Sequence, residues 1–115
     1  GVQTCALPIL NSPINWTVNS DMQQNYRDML SFYASSEAAR FGTPMPYTAT
    51  DVVCFKKVLN ADQVVVIANV RNATTNYSIP TALLNSTWAN AIAGVPVTLG
   101  NTLTLSAYQY LILKN

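Results

Sequence analysis

Two hydrophobic periods divide the chain. From Met22 onward, apolar residues return at helical spacing: Met22, Tyr26, Met29, Leu30 and Tyr33, then Ala38 and Phe41. A polar loop from Asn11 to Asn19, carrying Pro13 and the aromatic Trp16, precedes them. Ser20-Asp21-Met22-Gln23 has the form of a capping box, the Ser20 side chain accepting from the Gln23 amide while Gln23 reaches back. Asp21 in the first turn suits the positive end of a helix dipole. Gly42 offers a left-handed stop, and Pro44 and Pro46 bar continuation. The pattern predicts a single helix from Ser20 to Phe41, about six turns at 3.6 residues per turn.

Beyond Pro46 the period becomes that of strands. DVVCFKKVL (51–59) and QVVVIANV (63–70) are β-branched runs joined by Asn60-Ala61-Asp62, a short hairpin connection. A turn at 71–74 leads to a short strand over 75–79, closed by Pro80. The stretch 81–88 suits a helical turn or a strand end. Three more strands are expected at 96–99, 103–105 and 108–113, with turns at Ala93-Gly94 and Gly100-Asn101. Short strands with regular turn signals predict a mainly β domain, an antiparallel sandwich or barrel, preceded by one long helix. No repeat of 20–50 residues is visible. A lone helix must bury its apolar stripe, either on the sheet of this chain or against a preceding domain that is missing.

Composition narrows the chemistry. The 115 residues are 50% hydrophobic and 10% charged, with a formal net charge of +1, which suits one domain with a real core. Six scattered Lys and Arg residues make no basic stripe for a phosphate backbone, so no nucleic-acid partner is expected. No apolar run approaches the roughly 18 residues of a membrane span. With no histidine, Ser-His-Asp and Cys-His catalysis and His-based zinc sites are excluded. Cys5 and Cys54 lie 49 positions apart with no CxxC motif.

The first nine residues, GVQTCALPI, resemble the translation of a sequencing-library adapter read in frame; a genuine strand or loop is the alternative. On the artefact view Cys5 is not biological, Cys54 is alone, and the gene extends further upstream.

Taken in order, NSPINW, the helix YRDMLSFYASSEAARFG, the hairpin DVVCFKKVLNADQVVVIANVRN, IPTALLNSTWANAIAG and LTLSAYQYLILK resemble the C-terminal end of bacterial α-amylases of glycoside hydrolase family 13. Ala107 stands where that family usually has proline. With residues 1–9 set aside as the adapter artefact, the resemblance implies 10–42 as the loop and last helix of a truncated (β/α)8 barrel, and 43–115 as the C-terminal all-β domain, a Greek-key sandwich. It implies a parent enzyme, secreted or at the cell surface, that hydrolyses α-1,4-glucans with retention. The partner of this chain would be the barrel of the same polypeptide, with α-glucan polysaccharide as a further partner. The family's catalytic carboxylates sit on barrel strands four, five and seven, and its usual calcium ligands also belong to the barrel. No catalytic residue or cofactor site therefore transfers to this chain. The alternatives are a stand-alone carbohydrate-binding module or a structural β-sandwich.

The chain's own candidates are few. Asp28 and Glu37, nine positions apart on the expected helix, project about 180° apart and cannot flank a glycosidic bond. Asp21, Asp51 and Asp62 suit capping, strand-edge and turn roles. Trp16, Tyr47, Tyr77, Trp88, Tyr108 and Tyr110 offer flat faces for sugar rings. Of these Trp88, after the polar Asn85-Ser86-Thr87, and Tyr77, after a turn, are the sugar-binding candidates, on the expectation that both are exposed. Tyr108 and Tyr110 are expected to pack on one face of the last strand, opposite Leu111 and Leu113. Sequons at Asn15, Asn72, Asn76 and Asn85 are glycan acceptors in a eukaryotic secreted chain and otherwise follow from an Asn- and Thr-rich composition. Cys54 reads as a small buried hydrophobe.

Overall fold

A computed structural model of the chain describes Pro13, Asn15 and residues 17–115. The segment 1–9 and Trp16 lie outside the described residues. Two helices open the described part, α1 (Ser20–Ser35) and α2 (Glu37–Phe41). Eight strands follow: β1 (Thr43–Pro46), β2 (Val52–Leu59), β3 (Asp62–Asn69), β4 (Thr75–Ser78), β5 (Ser86–Asn90), β6 (Pro96–Leu99), β7 (Thr102–Leu105) and β8 (Tyr110–Lys114). They form an antiparallel six-stranded sheet in the order β1-β2-β3-β8-β5-β6 and a two-stranded sheet of β4 and β7. The β-sandwich expected from the strand pattern is present, and its non-sequential order is that of crossing connections between two sheets.

The core explains the sequence of the central strands. In β3, Val65 and Ile67 point into the main core between the sheets, with Val52, Cys54, Tyr77, Leu83, Trp88, Leu99, Leu105 and Leu113. Val64 and Val66, on the other face, join Ile112 and Ala38 in a second cluster beneath the helices. β8 alternates in the same way, Leu113 facing the first cluster and Ile112 the second. Both faces of these strands are covered, so they read as unbroken apolar runs instead of alternating ones. Each large side chain fully buried there contributes roughly 1.5–3 kcal/mol.

The predicted single helix is two. Ser36 leaves helical space (φ −106, ψ 121), and its side chain accepts from the Ala39 amide as the cap of α2. The break is sustained by Asp62, whose carboxylate accepts from the Ser36 hydroxyl and the Ala38 amide, both at 2.8 Å. The start of α1 also differs. Asn19 is the cap, accepting from the Met22 amide at 2.9 Å, one residue before the expected capping box.

Gly42 ends α2 without a left-handed turn (φ −63, ψ 148). It is glycine for space: a Cβ there would stand 2.5 Å from the Ala38 carbonyl oxygen and 3.0 Å from the Val58 nitrogen. The prolines after it stop the helix as expected, yet they lie in a strand that the pattern missed. β1 is an edge strand, where proline's missing N–H leaves no ladder bond unmade. In the β2–β3 hairpin the connection is Asn60-Ala61 alone, with Asn60 at φ 54 and Asp62 paired to Leu59. The stretch 81–88 holds both options, a 3-10 turn at Thr81–Leu83 and the start of β5. The last strand begins at Tyr110 and not at Tyr108, which sits in the preceding turn at φ 56.

Candidate functional site

Three features carry candidate chemistry, and the largest is the face of α1. None of its sixteen residues is buried. Its inner side rests lightly on the sheet through Met29 and Phe32, which pack against the second cluster. Met22, Tyr26, Leu30 and Tyr33 remain 50–63% exposed, and Phe41 of α2 is also exposed. Between α1 and the outer face of the large sheet runs an apolar groove of about 400 Å³, walled by Met29, Leu30, Phe32 and Tyr33 and floored by Phe55, Val64, Val66 and Ile112. The amphipathic pattern of α1 is thus real, but only part of its apolar stripe packs against other described residues. Exposed apolar area of this kind marks interaction surfaces.

Asp62 joins that face to the β-sandwich. Besides the Ser36 and Ala38 bonds, the Lys57 ammonium donates to the Ala39 carbonyl, so β2 and β3 both hold α2. The Ala38 amide is the main cause that holds the Asp62 carboxyl below its ordinary range; the Ser36 hydroxyl, the Glu37 amide and the charge of Lys114 add to it against a desolvation penalty.

The predicted sugar-binding pair is not placed as expected. Tyr77 is 4% and Trp88 7% exposed, both in the main core. The Tyr77 hydroxyl donates to the Tyr47 carbonyl at 2.6 Å, and burial together with the neighbouring Cys54 drives its pKa upward. The Trp88 indole donates to Ser86 Oγ at 2.6 Å, with the Lys56 ammonium 5.8 Å from the ring centroid. Polar tips satisfied inside the chain let both aromatics pack as core residues. Cys54 is fully buried, and desolvation raises its thiol pKa, partly offset by Tyr77.

Tyr108, expected to pack on the last strand, also lies elsewhere. It is 63% exposed, on a turn that faces the Asp51–Arg71 ion pair's loop, its amide donating to the Arg71 carbonyl at 3.1 Å. The signal available in the sequence was the Ser106-Ala107 start of a turn, obscured by the apolar run behind it.

Asp28 accepts from Gln24 at 2.8 Å, Asp51 pairs with Arg71 at 2.7 Å, and Glu37 opens α2. Among the described residues no three His, Cys, Asp or Glu side chains cluster as a metal site. No described helix is long and apolar enough to cross a membrane.

No protein-family model and no curated protein matches the sequence. Solved structures do match in fold. An Anoxybacillus α-amylase superposes with a TM-score of 0.75 at 14% identity, covering 88% of this chain and 24% of that one. A variant of AmyP in complex with maltotriose gives 0.76 at 13% identity, covering 90% and 23%. The trehalulose synthase MutB gives 0.66 at 18% identity, covering 81% and 18%. The chain therefore has the fold of a β-sandwich segment found in α-amylases and spans about a quarter or less of the length of these proteins.

Proposed function

We propose that the chain is the carboxy-terminal part of an α-amylase-like glycoside hydrolase. Residues 10–42 are the last loop and helix of its (β/α)8 barrel, and residues 43–115 are the all-β domain C that follows. The part described here is non-catalytic. It covers and stabilises the barrel, whose own carboxylates hydrolyse α-1,4-glucans, so the polysaccharide is a partner of the whole enzyme. The observation that carries this reading is the unburied apolar face of α1, with Met22, Tyr26, Leu30 and Tyr33 all half or more exposed beside an apolar groove. A sixteen-residue helix is only marginally stable in water on its own propensity and takes most of its stability from packing. A surface on a barrel supplies that packing, and the solved structures of this fold carry about three quarters of their length elsewhere.

Size-exclusion chromatography with light scattering tests the reading on residues 11–115. The expected result is concentration-dependent self-association, reduced by the triple substitution Tyr26→Gln, Leu30→Gln, Tyr33→Gln without loss of the folded β-sandwich. A strictly monomeric parent chain that loses stability on the same substitutions would show a self-contained domain in which α1 serves its own sheet.

A further inference from the structure

We propose that Ser36 is a hinge held bent by Asp62, and that α1 and α2 join into one straight helix when this latch is released. The hydrogen bonds at the break carry the inference. In an uninterrupted helix each amide donates to the carbonyl four residues back. Ser36 still donates to the Phe32 carbonyl at 3.1 Å, and Arg40 to the Ser36 carbonyl at 3.3 Å, so the ladder reaches the break from either side. The amides that the break diverts are those of Glu37, Ala38 and Ala39, which a straight helix would direct to Tyr33, Ala34 and Ser35. Each has a substitute. Ala38 donates to the Asp62 carboxylate at 2.8 Å, the Glu37 amide faces the same carboxylate, and Ala39 donates to the Ser36 hydroxyl at 3.1 Å. The Ser36 hydroxyl itself donates to Asp62 at 2.8 Å. One carboxylate thus serves, directly or through Ser36, every amide that the bend parts from its carbonyl.

The junction sequence itself favours a helix. Ala34-Ser35-Ser36-Glu37-Ala38-Ala39-Arg40 contains no glycine or proline, and alanine, glutamate and arginine are good helix formers. Without the carboxylate, the amides of Glu37 and Ala38 either lose their partners or regain carbonyls as Ser36 turns helical. The second outcome needs a change of backbone angles at one residue, now extended at φ −106, ψ 121. Anchorage decides which side moves. Ala38 is fully buried and Lys57 holds the Ala39 carbonyl, so α2 stays on the sheet. α1 has no buried residue and meets the second cluster through Met29 and Phe32. Straightening therefore swings α1, lifts Phe32 away and opens the apolar groove. On the function proposed above, the latch sets the angle at which the barrel meets the sandwich; the hinge itself does not rest on that reading.

Nuclear magnetic resonance of the full chain tests the latch through the Ser36 Cα and Cβ shifts and the Overhauser contacts of the Phe32 ring. In Asp62→Ala the expected result is a move of the Ser36 shifts from the extended to the helical range, with loss of the contacts from Phe32 to Val64 and Ile112. Asp62→Asn keeps an acceptor oxygen and stays bent. Adding Glu37→Pro to Asp62→Ala restores the bend. Proline suits the first position of α2, holds the residue before it extended, and in a straight helix would clash with the Tyr33 carbonyl. Ser36→Ala removes the Ala39 cap and one bond to Asp62 while raising helix propensity, so it gives the same change at position 36 and serves where Asp62→Ala fails to fold. An extended residue 36 with Phe32 in place in both variants, or helical order lost across residues 33–39, overturns the proposal. So does a straight helix that persists in Asp62→Ala with Glu37→Pro.

Discussion

Asp62 shows how a single residue fixes an element boundary from a distance. Its carboxylate satisfies two donors at the start of α2, a hydroxyl and an amide, 26 and 24 positions away in sequence. Loss of a capping side chain costs about 0.5–2 kcal/mol. Asp62→Ala is therefore expected to lower the unfolding free energy by about 1 kcal/mol at pH 7 in urea denaturation. The pH dependence follows from the direction of the shift. A carboxyl held below its ordinary range in the fold adds stability above its unfolded pKa of about 3.9, and that increment is lost as pH falls through the lowered folded value. The gap between parent and Asp62→Ala should therefore close in acid; a gap that is constant from pH 7 to pH 2 would contradict this. Gly42 makes the complementary point about space. Its backbone angles are open to any residue, yet a Cβ would strike the Ala38 carbonyl at 2.5 Å, so Gly42→Ala should destabilise by about 1–3 kcal/mol in the same assay. A neutral Gly42→Ala would mean that the junction yields easily. The glycine was visible in the sequence, but its reason was not, because the clash comes from a carbonyl that only the folded turn brings near.

At the scale of elements, legibility follows locality. The β2–β3 hairpin, β6 and the amphipathic α1 were readable because neighbouring residues determine them. The break at Ser36 was not, because its cause lies in β3. The strand β1 hid behind Pro44 and Pro46, which read as breakers and are admitted only because the strand is at an edge. Tyr77 and Trp88 were misplaced for a related reason: polar flanks suggested exposure, while tertiary packing and local acceptors at Tyr47 and Ser86 took the rings inward. The elements also differ in how firmly they are held. α1 has no buried residue, whereas β3 and β8 are covered on both faces. Opening free energy tracks such burial. Amide hydrogen exchange should therefore find α1 exchanging by local opening, well before the β3 and β8 amides, which wait for global unfolding. Uniform protection across α1 and the sheet would contradict the picture of a helix that lacks its main partner.

The whole molecule is a well-packed sandwich with an under-packed helix on its outer face. Among the described residues its main core is closed between the sheets, Asp62 holds the start of α2, Asp51 pairs with Arg71, and the exposed side of α1 is apolar. On the function proposed above, that apolar side is the surface the barrel covers. Matches to α-amylases and a trehalulose synthase extend over most of this chain but at most about a quarter of theirs. The central claim is that the missing partner of α1 is encoded in the same polypeptide. Reading the gene upstream of the codon for Asn11 tests it most directly. The account predicts one continuous reading frame encoding a (β/α)8 barrel, with aspartate, glutamate and aspartate at the ends of strands four, five and seven. An initiation codon immediately before that position, or an unrelated domain in frame, would contradict it.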